Sequence, residues 1–511
     1  MDPVRLTVFH ELFGSVAEEM GAVLCGTAPS VNIRERRDYS CAVFDADARL
    51  VSQAAHIPVH LGSAALSVAA VRRRFADLEP GDAVLLNDPY EGGTHLPDLT
   101  LVTPVFTDAG APWFVASRAH HADVGGSRPG SMSPEADLPA EGLRIPPVRL
   151  LRGDEWVDDV RQMVLANTRT PVERAGDLQA QVQANRLGVR RLVGLNDRFG
   201  HAVCVEATQA LYAYAARRMA LHLRALALGR YEVADVLEGD GLAAGELAVA
   251  LTLTVGRASC LTFDFSASSD QCGGSMNANP AVTLAAVLYS LCCLAPSGVP
   301  VNAGLLEGVD VRTRRGSILE PIFPGAVAGG NVETSQRLVD VCLAALGAAG
   351  AEVPAQSSGT MNNLSIGGVA ADDTAFAAYE TIGGGAGASA QGPGGSGVQT
   401  HMTNTRNTPV EEIELTQPIL VERYTLRRGS GGRGEHAGGD GIIKEFTPLV
   451  PLRGSLLSER RRVGPRGAAG GANGKPGQQR RGGRALPGKG TFELRAGETF
   501  RVETPGGGGW G

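Results

Sequence analysis

Glycine constrains this chain more than any other residue, at 68 of 511 positions, roughly twice the usual share of about 7%. The glycines crowd the last third, in Gly383-Gly384-Gly385-Ala386-Gly387, between Gly429 and Gly441, and from Gly506 to Gly509. They follow no G-X-Y period, which excludes a collagen triple helix and predicts special loop geometry instead. Hydrophobic residues at 43% and charged residues at 20% describe a chain that buries large cores and is not intrinsically disordered. At roughly 100–200 residues per domain, the length suits two to four domains. A net charge of −7 bears on solubility and not on any particular partner. Only three of the 47 basic residues are lysine, which reads as compositional bias.

The start, Met1 to Leu6, shows no basic segment followed by an apolar one, so no signal peptide is expected. The longest near-apolar run, Ala281 to Ala295, is shorter than the roughly 20 residues of a spanning helix and predicts a buried one. Eight scattered cysteines without C-x-x-C spacing fit a reducing cytoplasm and supply no strong zinc or redox motif.

Asp2 as cap, Pro3 at the first helical position and the stripe Leu6, Phe9, Phe13, Val16, Ala17 and Met20 predict an opening helix. Strands are read at Tyr39 to Phe44, Ala83–Leu86, Leu99–Phe106 and Trp113–Ser117, with a helix around Ser63 to Phe75. From Pro171 to about Leu228 the pattern is helical, interrupted at Gly200. Strands at Leu247–Val255 and Cys260–Phe265 and helices at Ala281–Leu294 and Thr334–Leu346 follow. The fold class is α+β: a mixed multi-layer fold with a β-hairpin metal site, a central helical region and a Gly-rich C-terminal β region. Soft boundaries divide it into 1–195, 196–375 and 376–511.

Two segments combine imidazole, carboxylate and glycine at strand ends. They are Asn87-Asp88-Pro89-Tyr90-Glu91-Gly92-Gly93-Thr94-His95-Leu96-Pro97-Asp98 and Arg118-Ala119-His120-His121-Ala122-Asp123-Val124-Gly125-Gly126. Imidazole with carboxylate is the donor set of a borderline divalent ion such as zinc, manganese or iron. If the flanking strands form a hairpin across Thr107–Ala111, Phe106 pairs with Pro112 and Asp98 falls opposite His120. Opposed Cβ atoms lie about 4.5–5.5 Å apart, which suits two ligands of one ion. His95 can fold back from its Gly-rich loop onto the same point. The alternative is that these side chains only cap turns. His121 alternates with His120 and faces away in an extended chain, which gives it a supporting or structural place; with Asp123 it completes the candidate catalytic group. The run Arg34-Glu35-Arg36-Arg37-Asp38 is either a solvated charge run or the source of one more carboxylate, as fourth ligand or water-activating base.

Other motifs are weaker. The Gly383–Gly387 stretch is similar to an anion-cradling loop but lacks the lysine and Ser/Thr of a Walker A motif, so no ATP site is expected in this chain. No G-x-S-x-G elbow is present. The basic stretch from Arg453 to Lys489 lacks interleaved aromatics and reads as a subunit contact or phosphate-facing surface, not a nucleic-acid site.

At this level of detail the chain resembles the hydantoinase B/5-oxoprolinase family, the metal-bearing components of ATP-dependent hydantoinases, related also to the metal-bearing subunit of acetone carboxylases. The resemblance rests on the two histidine segments and on Ile33 to Asp38, His56 to Ser63 and Glu141 to Pro147. It extends to Gly330 to Arg337, His401 to Arg406 and Glu503 to Gly509, and so spans essentially the whole chain. It implies a hydantoinase A-type partner with an actin-like ATPase fold that binds ATP, in a hetero-oligomer with no nucleic-acid or membrane role. It further implies ATP-dependent opening of a small cyclic amide, a hydantoin, 5-oxoproline or lactam, at a divalent metal. His95, Asp98 and His120 carry over as ligands. Asp38 is the favoured fourth, with Glu35 as alternative or base. His401 and Arg406 lie in a matching motif without an assigned role. Carboxylation of the acetone type, or a non-catalytic scaffold, are the competing readings.

Overall fold

The computed structural model describes residues 1–54, 56–107, 111–243 and 245–511. Asp2 caps the opening helix Pro3–Thr27 by accepting the Arg5 N–H, and Phe9, Phe13, Val16, Ala17 and Met20 form its buried stripe. That stripe packs on a seven-stranded antiparallel sheet. The sheet order is Leu50–Gln53, Tyr39–Phe44, Trp113–His120, Asp98–Val105, Ala83–Leu86, Val148–Arg152, Glu155–Trp156. Along Tyr39–Phe44, Tyr39, Cys41 and Val43 meet this helix and the long helix Pro171–Phe199. Ala42 and Phe44 point the other way, onto Val68 and Val71 of the helix Ser63–Arg74. With helices on both faces, Asp98–Val105 and Trp113–His120 are buried at every position.

A second sheet, Val309–Arg312, Leu261–Asp264, Leu247–Val255 and Gly229–Leu237, supports the helices Pro280–Leu294 and Ser335–Ala348. Two further sheets form a sandwich. One contains Ala375–Glu380, Asn363–Val369, Leu452–Leu457 and Lys489–Leu494; the other contains Ile419–Arg427, Gly441–Pro448, Phe500–Glu503, Gln478–Arg481 and Arg484–Ala485. Leu364, Ile366, Phe376 and Phe492 meet Ile419, Phe446, Phe500 and Val502 between them. The expected boundaries at 195 and 375 do not fall between elements. The helix Pro171–Phe199 runs through the first, and its last residue, Phe199, packs edge-on against Phe9 of the opening helix. The second falls in the strand Ala375–Glu380, which is hydrogen-bonded to Asn363–Val369.

Most glycines of the three clusters build a packed core, while Gly429 stays in an exposed turn with open space around it. The extended segment Pro505–Gly509 exchanges backbone hydrogen bonds with Gly385, Gln356, Ala388, Gly432, Gly439, Ala468, Ala472 and Lys475. Chains on several sides of one chain leave no room for side chains: a Cβ on Gly507 would stand 1.9 Å from the Ala386 carbonyl oxygen. The Gly383–Gly387 stretch is part of this core. Gly385 donates to Pro505, Ala386 to Gly395 and Ala388 to Gly508, so these amides are spent on carbonyls and do not cradle an anion.

Candidate functional site

Asp98 and His120 stand at one end of the central hairpin and are direct antiparallel partners, in the register expected from the sequence. Residues 108–110 of the connecting turn lie outside the described residues. His95 folds back from the glycine loop. Its Nδ1 lies 2.9 Å from Asp98 Oδ2, and the His95 and His120 ring centroids are 5.1 Å apart. Asp38 arrives from the segment before Tyr39–Phe44; its carbonyl accepts the His120 N–H at 3.0 Å. All four are buried.

The electrostatics of the group are those of charges confined without water. Burial pushes the Asp38 carboxyl up, against the opposing pull of Arg36 and of the His60 and His95 imidazoles. Burial also acts to raise Asp98, but the His95 and His60 imidazoles outweigh it and hold the carboxyl well below its usual range. Burial keeps the His120 ring neutral, driving its pKa well below that of a free imidazole.

Two polar atoms here have no hydrogen-bond partner although buried: Asp98 Oδ1 and His120 Nε2. Unpaired buried polar atoms are costly and rare. Two imidazoles and two carboxylates with free electron pairs are, in chemistry, a donor set for a divalent ion. The side chains do not stand as a finished cage: among the described residues, no three His, Cys, Asp or Glu are arranged around one ion. The 2.9 Å contact of His95 with Asp98 is closer than the roughly 3.3 Å between two donors of a tetrahedral ion with bonds of about 2.0–2.1 Å.

Not every candidate reaches this point. Glu35 is turned to the surface, where its carboxylate accepts from Arg34 Nε at 2.8 Å. It follows the short helix Val31–Arg34, whose rotation places Asn32 inward and Glu35 outward. His121 faces the opposite side of the strand end and bonds Gln181 at 3.0 Å; burial lowers its pKa to about 3. Asp123 is a loop anchor, accepting the N–H groups of Gly125, Gly130 and Arg169 and pairing with the Arg169 guanidinium.

Other residues enter the group although no sequence pattern assigned them to it. His60, at the end of the 3-10 turn Pro58–His60, places Nε2 3.3 Å from Asp98 Oδ2 and Nδ1 2.9 Å from Ser40 Oγ. Thr94 Oγ1 donates to Asp98 Oδ2 at 2.7 Å. Tyr379 stacks on His120 with centroids 4.5 Å apart, and Asn32 Nδ2 lies 3.4 Å from His120 Nδ1. The sequence signal for His60 is its place in the matching string His56 to Ser63; Tyr379 has none. A cavity of about 580 Å³ reaches Asn32 and Tyr379, the two side chains against His120. His401 lies apart from the four, 3.4 Å from the Tyr289 hydroxyl.

Residues 2–511 match the family model described as hydantoinase B/oxoprolinase. The chain is 40% identical to 5-oxoprolinase 1 of Arabidopsis thaliana across its whole length, while spanning only 42% of that protein. It is 36% identical to the uncharacterized protein MJ0963 of Methanocaldococcus jannaschii and covers 91% of it. Among solved structures, the ATP-dependent caprolactamase of Pseudomonas jessenii superimposes with a TM-score of 0.92 at 28% identity, over all of this chain and 91% of that one. Acetone carboxylase shares the fold, with a TM-score of 0.89 at 16% identity, over all of this chain and 76% of that one.

Proposed function

The chain belongs to the hydantoinase B/oxoprolinase family, and from that premise we propose that it is the hydrolytic component of an ATP-dependent cyclic-amide hydrolase. In this reading it opens a hydantoin, 5-oxoproline or lactam ring together with a hydantoinase A-type ATPase. The observation that carries the reading is the convergence of His95, Asp98, His120 and Asp38 with Asp98 Oδ1 and His120 Nε2 left unpaired in a buried setting. Those four residues would hold a divalent ion. Such an ion would supply Lewis acidity, activating water and offsetting negative charge on an amide oxygen. The chain's own residues orient the donors: Thr94 and His60 hold Asp98 Oδ2, while Tyr379 stacks on the His120 ring. Two histidines and Asp98 would leave a divalent ion with a surplus of one positive charge, which the Asp38 carboxylate would cancel. The surrounding protein excludes bulk water, so these charges act in a medium of low dielectric.

The test is co-expression with the A-type ATPase and a panel of hydantoins, 5-oxoproline and lactams, scored for ring opening with and without ATP. Ring opening that requires ATP and the partner is the expected result. Ring opening by this chain alone without ATP would indicate a conventional hydantoinase. Carboxylation of a ketone with bicarbonate would indicate the acetone carboxylase type.

A further inference from the structure

The helix Ser335–Ala348 begins with a π-helical turn, Gly330–Thr334, in which every residue is buried. Such turns are rare and widen the helix where a side chain must be placed against the ordinary winding. Here the cramped neighbourhood shows at Gly330: a Cβ would stand 1.8 Å from the Asn277 carbonyl oxygen, so the turn lies directly against the backbone of 277.

Two side chains of the turn reach the histidine pair by different routes. Asn331 Nδ2 lies 3.5 Å from His95 Nε2, and Asn331 Oδ1, also buried, has no partner. Glu333 Oε1 accepts from Met361 N and from Asn363 Nδ2; Asn363 Oδ1 in turn accepts the Tyr379 hydroxyl at 2.7 Å, and Tyr379 is the ring stacked on His120. We propose that the turn is a positioning element of the site: Asn331 selects which His95 nitrogen offers its electron pair, and Glu333 holds Tyr379 against His120.

The Asn331 amide can face His95 in two ways, which differ in the donors and acceptors they satisfy. With Nδ2 toward the ring, His95 Nε2 accepts and Nδ1 carries the proton, but Asn331 Oδ1 stays buried and unsatisfied. With the amide turned over, Oδ1 accepts the His95 Nε2–H, and Nδ1 presents its electron pair beside Asp98 Oδ2. Two acceptors that close repel unless a cation is near, so the second arrangement belongs to an ion-bound site and the first to an ion-free one. An amide serves both arrangements because it carries a donor and an acceptor at similar reach. A histidine that binds a metal is held in this way, its far N–H given to a carbonyl or carboxylate.

This inference rests on the metal reading above, and its test separates the two. His95 is followed by the nitrogen-15 shifts of histidine-labelled protein, and manganese or zinc affinity is measured by chelator competition, both with Asn331→Leu and Asn331→Asp. In the wild-type protein the His95 tautomer is expected to change when metal is added. Asn331→Leu, which offers neither donor nor acceptor, should lose that change and bind metal about 10–100-fold more weakly. Asn331→Asp keeps an acceptor and should retain at least wild-type affinity. Wild-type affinity and tautomer in Asn331→Leu would overturn the proposal. If Asn331→Leu does not fold, Asn331→Asp decides alone, and an affinity loss of tenfold or more there overturns it. A wild-type protein that takes up no divalent ion overturns the metal reading and, with it, the ion-linked role of Asn331. Ring opening plays no part in either readout, so failure of the substrate assignment stays separate.

Discussion

Asp38 and Glu35 are three positions apart in one charged run, and the fold gives them opposite environments. Asp38 is enclosed with His60, His95 and Asp98 as its electrostatic neighbours, whereas Glu35 pairs with Arg34 at the surface. Asp38→Asn should therefore lower metal content and ATP-dependent ring opening by at least about tenfold, comparable with loss of a supporting partner. Glu35→Gln should leave both within about twofold, since an exposed ion pair is worth about 0–1 kcal/mol. Metal analysis and turnover of the two variants, assayed with the A-type ATPase, check the contrast; normal loading and turnover in Asp38→Asn would remove it from the site. The same residue-scale logic places His60 beside Asp98, and His60→Phe should weaken metal binding while leaving the melting temperature within a few degrees.

At the scale of elements, the short helix Leu138–Glu141 is tied to the segment before the π-helical turn by one carboxylate. Glu141 accepts the N–H groups of Val327 and Ala328, and burial raises its pKa to about 8. A raised carboxyl is protonated in the folded chain while still ionised in the unfolded one between the two pKa values. Stability from this group is thus complete below the unfolded value of 4.5 and is lost as pH rises toward about 8. The slope is about 1.4 kcal/mol per pH unit for one proton. Glu141→Gln keeps an acceptor and removes the titration. Urea denaturation from pH 5 to 9 should show the variant gaining on the wild type as pH rises, and parallel curves would show that Glu141 stays ionised in the fold. The central hairpin also belongs to this scale: its register is read by placing the turn across Thr107–Ala111, which sets the two site segments opposite each other.

The whole molecule is held by two features that bridge distant parts of the chain. Arg337, fully buried, pairs with Asp235, Asp340 and Glu459, while Arg460 pairs with Asp235 and Asp340, and Lys489 with Glu459. This network joins the helix Ser335–Ala348, the strand Gly229–Leu237 and the basic stretch, part of which is therefore interior. Arg453, Arg462 and Arg466 remain largely exposed on that stretch. Arg337→Met leaves three carboxylates short of a partner and should cost about 3–5 kcal/mol, seen as a lower denaturation midpoint. The second feature is the glycine core. Gly507→Ala forces a methyl against the Ala386 carbonyl and should cost about 1–3 kcal/mol or more, as overpacking does; an unchanged melting temperature would show that the segments part freely.

What the sequence determined by itself was local or periodic. The Asp2 cap and Pro3 start, the alternating strands, the break at Gly200 and the pairing of Asp98 with His120 all depend on neighbours in the chain or on a hairpin register. His95, Asp98 and His120 were candidates from their residue types near the ends of those strands, whereas Asp38 was preferred over Glu35 only through the family resemblance. Tertiary structure alone decided the rest. Tyr379 reaches His120 across 259 positions and Asn331 reaches His95 across 236, and no periodicity encodes such a meeting. The glycine excess was visible as composition, yet its meaning as a core lay in which chains surround Pro505–Gly509. A missing side chain records that something approaches closely; only the packed fold names what does.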